Sequence, residues 1–135
     1  MKYKSKYKNE SLTIVGNNVN GLLGKHESMK NMIALLKPAA LMLQETKLYR
    51  PGKIKIEGFE IFELLCNQGE GGGLMTAVHK NLNPILCCKD EDMKNILVVD
   101  IKVKNTMIRL MNCYGPQENA QSEVKDCKLK FNLLS

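Results

Sequence analysis

At 135 residues the chain is long enough for one domain or part of one. Hydrophobic residues make up 44% and charged residues 25%, an ordinary balance for a globular protein, and no run approaches the roughly 18 consecutive apolar residues of a membrane-spanning helix. The net charge of +6, from 20 Lys and Arg against 14 Asp and Glu, favours a polyanionic partner, nucleic acid above all.

Residues 1–10 read as a flexible basic arm, with lysine at Lys2, Lys4, Lys6 and Lys8. No apolar stretch of signal-peptide length follows it, so an intracellular protein, nuclear or cytoplasmic and without a membrane partner, is expected. Residues 11–135 are then a single domain region. Leu12–Val15 has the β-branched content of a short strand and runs into a polar, glycine-bearing turn through Gly21. From His26 to Lys37 the apolar residues Met29, Met32, Ile33 and Leu36 recur at helical spacing, and Lys37-Pro38 supplies a stop. Ala39–Leu43 is an apolar run of buried-strand type, and Glu45 surfaces where that strand should end.

This strand–helix–strand unit carries a topological expectation. Parallel strands joined by a right-handed crossover bring their carboxyl ends to one sheet edge. Asn18 and Glu45, 27 residues apart, then converge there. That edge is where ligands meet open α/β sheets.

Further strands are expected at 59–65 and 74–78, the second preceded by the glycine cluster at 69–73. That cluster lacks the Gly-Lys-Ser/Thr ending of a nucleotide-binding loop and leads into a strand, so its glycines serve a tight connection or a close backbone approach. In 96–103, Leu97, Val99, Ile101 and Val103 share one face, and Lys104-Asn105 makes a turn into a hairpin partner at 107–111. A helix is expected around 121–134. The class is α/β with an α+β-like mixed sheet and helices on one face.

Five cysteines form no Cys-x-x-Cys pair and no zinc spacing with His26 or His79, and they read as buried thiols or neutral filler. Neither histidine has a nucleophile at a recognisable spacing. Glu45 with the amide oxygen of Asn18 suits Mg²⁺, which takes one or two carboxylates and leaves other positions to water and phosphate. The alternative for Glu45 is an exposed strand-end carboxylate paired with Lys47 or with nothing. Tyr114 closes the last strand, either as a phosphate-contacting hydroxyl or as a core ring.

Four stretches in order, Asn18–Leu22, Leu43–Lys47, Gly71–Met75 leading to Lys80-Asn81-Leu82, and Asn112–Pro116, resemble the amino-terminal half of the endonuclease/exonuclease/phosphatase superfamily. The similarity is closer to the apurinic-type endonuclease domain of LINE-like (non-LTR) retrotransposon proteins. The resemblance implies Mg²⁺-dependent (or Mn²⁺-dependent) DNA phosphodiester hydrolysis. It makes Glu45 the catalytic metal-binding glutamate, Asn18 its metal-site partner and Tyr114 the catalytic tyrosine on the scissile phosphate. Asn20 and Lys47 are the nucleic-acid-binding candidates.

Members of that superfamily continue into Gly-Asp-x-Asn and Ser-Asp-His segments, and nothing after Tyr114 resembles either. The resemblance therefore implies a truncated endonuclease domain, inactive alone. Its fold would be about half of a four-layer α/β sandwich, one mixed sheet whose unpartnered apolar face invites self-association. A degenerate module that binds nucleic acid or protein without catalysis is one alternative. A phosphoesterase acting on a lipid or small molecule is the other.

Overall fold

In the computed structural model, residues 12–67, 71–90 and 95–115 are described; the expected basic arm and the helix expected around 121–134 lie outside them. Strand β1 (Ile14–Asn18) leads through a 3₁₀ turn at Leu23–Lys25 into helix α1 (His26–Leu36) and strand β2 (Ala40–Gln44). Strands β3 (Phe59–Leu64) and β4 (Leu74–His79) follow, then β5 (Ile85–Lys89), β6 (Ile96–Val103) and β7 (Thr106–Cys113).

Helix α1 forms because its apolar residues make one stripe. Met29 is buried and Met32 and Ile33 pack against the first core, whereas Leu36, expected on that stripe, is 47% exposed. Leu36 is the last helical residue, and the chain leaves the helix directly after it. Lys37 adopts a left-handed conformation (φ +47°) and its N–H closes the last turn on the Ile33 carbonyl at 2.8 Å.

The first sheet has the order β1-β2-β4-β3, with β1 and β2 parallel and both β4 pairings antiparallel. It is the mixed sheet expected. Alternation assigns its faces. Val15, Leu41, Leu43, Met75 and Ala77 pack with α1 and the loop residues Leu48 and Ile54. Ile14, Ala40, Met42 and Val78 point the other way.

That second face departs from expectation. The strands after residue 84 do not extend the mixed sheet; they form a separate antiparallel sheet, β5-β6-β7, laid against it. Val99, Ile101 and Leu110 share one core cluster with Ala40, Met42 and Val78. The apolar face expected to be unpartnered is therefore covered within the chain. The physical reason lies in β6, where the inward set Leu97, Val99, Ile101 and Val103 needs a facing layer that edge-to-edge extension would not provide.

The β6–β7 hairpin turns at Lys104-Asn105 as expected, with Val103 opposite Thr106 and Lys104 at φ +57°. β5 is a strand the sequence did not announce. All five of its residues are exposed, and a register shift between Leu86 and Cys88 bulges it. Cys87 and Cys88 are thus exposed thiols, and only Cys66 of the described cysteines is buried. Among the described residues no helix is long and apolar enough to cross a membrane.

Candidate functional site

The parallel register of β1 and β2 runs to Asn18 opposite Gln44, so both strands end at the same edge. Pairing continues past the strands through Val19 N–H to the Gln44 carbonyl (2.9 Å), Gly21 N–H to Glu45 (2.7 Å) and Leu22 N–H to Thr46 (2.9 Å). The two loops are therefore held as firmly as the strands. Across them, the Asn18 amide Nδ2 donates to Glu45 Oε2 at 2.5 Å. The convergence expected from topology is present. Lys47 does not take Glu45; its Nζ donates to Asn20 Oδ1 at 2.6 Å.

Backbone strain gathers at the same place. Asn20, Glu45 and Lys47 have φ of +48°, +54° and +56°, half of the six described non-glycine residues with positive φ. Left-handed backbone in a residue with a side chain costs about 1–2 kcal/mol and persists where its surroundings over-determine it. Here the surroundings are the glycine segment. Thr46 and Lys47 donate their N–H groups to the carbonyls of Gly73 (3.2 Å) and Gly72 (2.9 Å). A Cβ on Gly73, whose φ is +90°, would stand 2.5 Å from Thr46 Oγ1. The glycines serve the close backbone approach, as their sequence context suggested.

Tyr114 reaches this edge from β7. Its N–H donates to the Asn95 carbonyl at 2.9 Å, and its ring packs against Leu64, Leu74 and Leu97. Gly72 leaves the ring room, a Cβ there lying 3.8 Å from the Tyr114 Cε2. Burial of the ring, and then the charge of Glu45, push the phenol above its ordinary pKa. Tyr114 is thus a partly buried ring and also a protonated hydroxyl within the field of Glu45.

Beneath the site lies a buried polar network. Asn112, with no exposed surface, donates through Nδ2 to the carbonyls of Met75 (2.9 Å) and Leu43 (3.2 Å) and to Thr76 Oγ1 (3.2 Å). Its Oδ1 accepts from Gln44 Nε2 at 2.8 Å. One side chain of the second sheet thereby pins β2 and β4 of the first, one residue upstream of Glu45.

The donors at the edge, a carboxylate and an amide, are hard oxygen ligands of the type Mg²⁺ selects, and no described cysteine sulfur joins them. Glu45 retains Oε1 and Asn18 retains Oδ1 for such an ion. Among the described residues no cluster of three or more His, Cys, Asp or Glu could hold a metal. His79 lies at the opposite end of β4, where its Nδ1 accepts from Asn81 N–H (3.3 Å) and its ring meets Phe59 edge-on. The geometry excludes it from this edge.

No protein-family profile matches the chain and no curated protein matches it. Solved structures do. An AP endonuclease from Leishmania major superposes with a TM-score of 0.64 at 19% identity, covering 90% of this chain and 46% of that one. The endonuclease domain of TRAS1, a telomere-specific non-LTR retrotransposon, gives 0.58 at 18% identity, covering 92% and 55%. The TDP2 of D. rerio, solved with a single-strand DNA product, gives 0.56 at 20% identity, covering 90% and 53%. This is the endonuclease/exonuclease/phosphatase fold. The chain spans about half the length of the solved structures it matches.

In this endonuclease/exonuclease/phosphatase fold, all five residues singled out from sequence are found at one sheet edge or its adjoining loops. Sequence reasoning missed Asn112 and the support role of Gln44. Their signal was legible: in β7 the inward positions are Ile108, Leu110 and Asn112, and an amide where the alternation demands an apolar residue must have buried partners.

Proposed function

We propose that this region is the metal- and phosphate-facing part of a DNA phosphodiester hydrolase site, of the retrotransposon endonuclease type, with little or no nicking activity of its own. The observation that carries the reading is the Asn18–Glu45 pair, joined across two parallel strand ends with the Tyr114 phenol in its field. Likeness in fold to AP endonucleases and to a retrotransposon endonuclease supports it.

Glu45 through Oε1 and Asn18 through Oδ1 would hold Mg²⁺ or Mn²⁺. Bound there, the ion would offset charge that builds on a scissile phosphate. The chain's own groups do the rest of the positioning. Asn18 holds Glu45 in a single orientation by its hydrogen bond. Tyr114, kept protonated at neutral pH, donates to a phosphate oxygen. Lys47 and Asn20 act on the neighbouring backbone, where a cation and an amide meet phosphate without reading sequence.

Hydrolysis also needs a group that accepts a proton from the attacking water. Among the described residues Glu45 is the carboxylate of this edge, and it is engaged by Asn18. Weak or absent turnover follows from that. Incubation of supercoiled plasmid with the chain and Mg²⁺ or Mn²⁺ should leave it essentially intact. Robust nicking that disappears in Glu45→Ala would overturn the inactivity and retain the site.

DNA binding without hydrolysis is the second reading, favoured by the independence of Lys47 from Glu45. Steeply salt-dependent DNA binding that is unchanged in Glu45→Gln, with no Mn²⁺ binding by the chain, would select it. Self-association, first expected on the sheet face now covered, belongs in this proposal to the outer face of the second sheet, where Met107 and Met111 are exposed.

A further inference from the structure

Beside the metal-type edge runs an open cleft of about 240 Å³ lined by Leu23, Lys47, Leu48, Tyr49, Arg50 and Lys53. It begins at Lys47, the residue that holds Asn20, so it is continuous with the Asn18–Glu45 edge. Pockets for whole drug-sized ligands measure about 300–1,000 Å³, which makes this one a recess for part of a larger molecule.

The lining has two kinds of surface. The first is cationic. Residues 46–56 contain Lys47, Arg50, Lys53 and Lys55 and no acidic residue. Lys47 is engaged by Asn20, and Lys25, on the far side of the loop, donates to the carbonyls of Val19 and Asn20. Among the described residues neither Arg50 nor Lys53 has a carboxylate partner. The nearby acid, Glu63, accepts from the Gly52 N–H at 3.2 Å and so braces the turn that presents them. The second surface is apolar. Tyr49 is 46% and Leu23 58% exposed, a ring and a branched chain both left in contact with water although Leu48 between the strands is buried.

Cations flanking an exposed ring are the elements of single-strand nucleic-acid recognition: phosphates take the charges and an unstacked base takes the aromatic face. A duplex keeps its bases stacked and has none to offer a ring beside a phosphate track. Acidic peptide would use the cations and leave the ring and Leu23 without a role. We propose that this cleft is a subsite for an unpaired nucleotide of single-stranded DNA next to the Glu45 edge, its base stacked on Tyr49 and its flanking phosphates on Arg50 and Lys53. The subsite rests on the reading of that edge as a phosphodiester site, yet it binds without metal.

The test uses the full chain in EDTA with a fluorescein-labelled oligothymidylate, followed by anisotropy. Tyr49→Ala should weaken binding roughly tenfold or more, Tyr49→Phe should retain it, and a blunt duplex of the same length should feel Tyr49→Ala far less. Arg50→Gln and Lys53→Gln should each reduce the slope of log affinity against log salt by about 0.7. Single-strand affinity within about twofold of the parent in a folded Tyr49→Ala chain, equal losses for single strand and duplex, or unchanged salt slopes would overturn the proposal. Glu45→Gln separates the two readings. Loss of Mn²⁺ binding there with intact oligonucleotide binding supports both, whereas a parent chain that binds the oligonucleotide through Tyr49 but no Mn²⁺ keeps the subsite and removes the metal site.

Discussion

At the scale of single residues, the titration of the Tyr114 phenol has a sign that its surroundings fix. The phenol is raised first by burial and then by the Glu45 charge, so the folded state holds its proton more tightly than the unfolded chain does. Its contribution to stability is fully present below the unfolded tyrosine pKa of about 10 and is lost as pH rises through the folded value. Glu45→Gln removes the smaller of the two causes. In a spectrophotometric titration assigned with Tyr114→Phe, that substitution should lower the Tyr114 midpoint while leaving it above the ordinary tyrosine value. An unmoved midpoint would mean that the two groups do not share a field. Asn112 is the other residue with a large expected effect. Asn112→Ala strips partners from Gln44 and from two strand carbonyls in a buried interface, and should lower unfolding free energy by about 3 kcal/mol in urea titration.

At the scale of elements, the glycine segment decides how the β2 loop sits. Gly73→Ala introduces a Cβ 2.5 Å from Thr46 Oγ1 at φ +90° and should cost about 2 kcal/mol, read from the denaturation midpoint. Restoring room with Thr46→Ala should recover only part of it, because Lys47 N remains 3.3 Å away and the backbone angle is unchanged. The sequence carried much of this level. The parallel β1–α1–β2 unit, the hairpin at Lys104-Asn105 and the meeting of Asn18 with Glu45 all followed from periodicity and handedness. β5 did not, because its residues are exposed throughout and so no alternation marks it as a strand. Leu36 is helical as its spacing predicts, yet it stays exposed, because a spacing rule does not register that Lys37 turns left-handed just beyond it.

At the scale of the whole molecule, the grouping of strands into sheets was the illegible part. Alternation says that β6 has a buried face, and it does not say whether neighbours lie beside that face or across from it. The answer, a second sheet across from it, moves the exposed apolar surface outward to Met107 and Met111, which flank Arg109 in its bidentate pair with Asp100 (2.8 and 3.0 Å). If that face drives self-association, replacing Met107 and Met111 together by Lys should shift sedimentation velocity profiles toward the monomer, while Leu35→Lys, on the 81%-exposed side of α1, should not. Equal profiles for all three chains would remove the outer face as an interface.

The left-handed backbone at Glu45 and Lys47 has a consequence for evolution in the laboratory. Glycine would sit at both positions without the about 1–2 kcal/mol that a side chain incurs there. A library screened for thermal tolerance alone would thus be drawn toward glycine at these two codons. It would return a sturdier protein with its carboxylate and its lysine erased. The side chains that make the edge chemically interesting are the ones that heat selection disfavours.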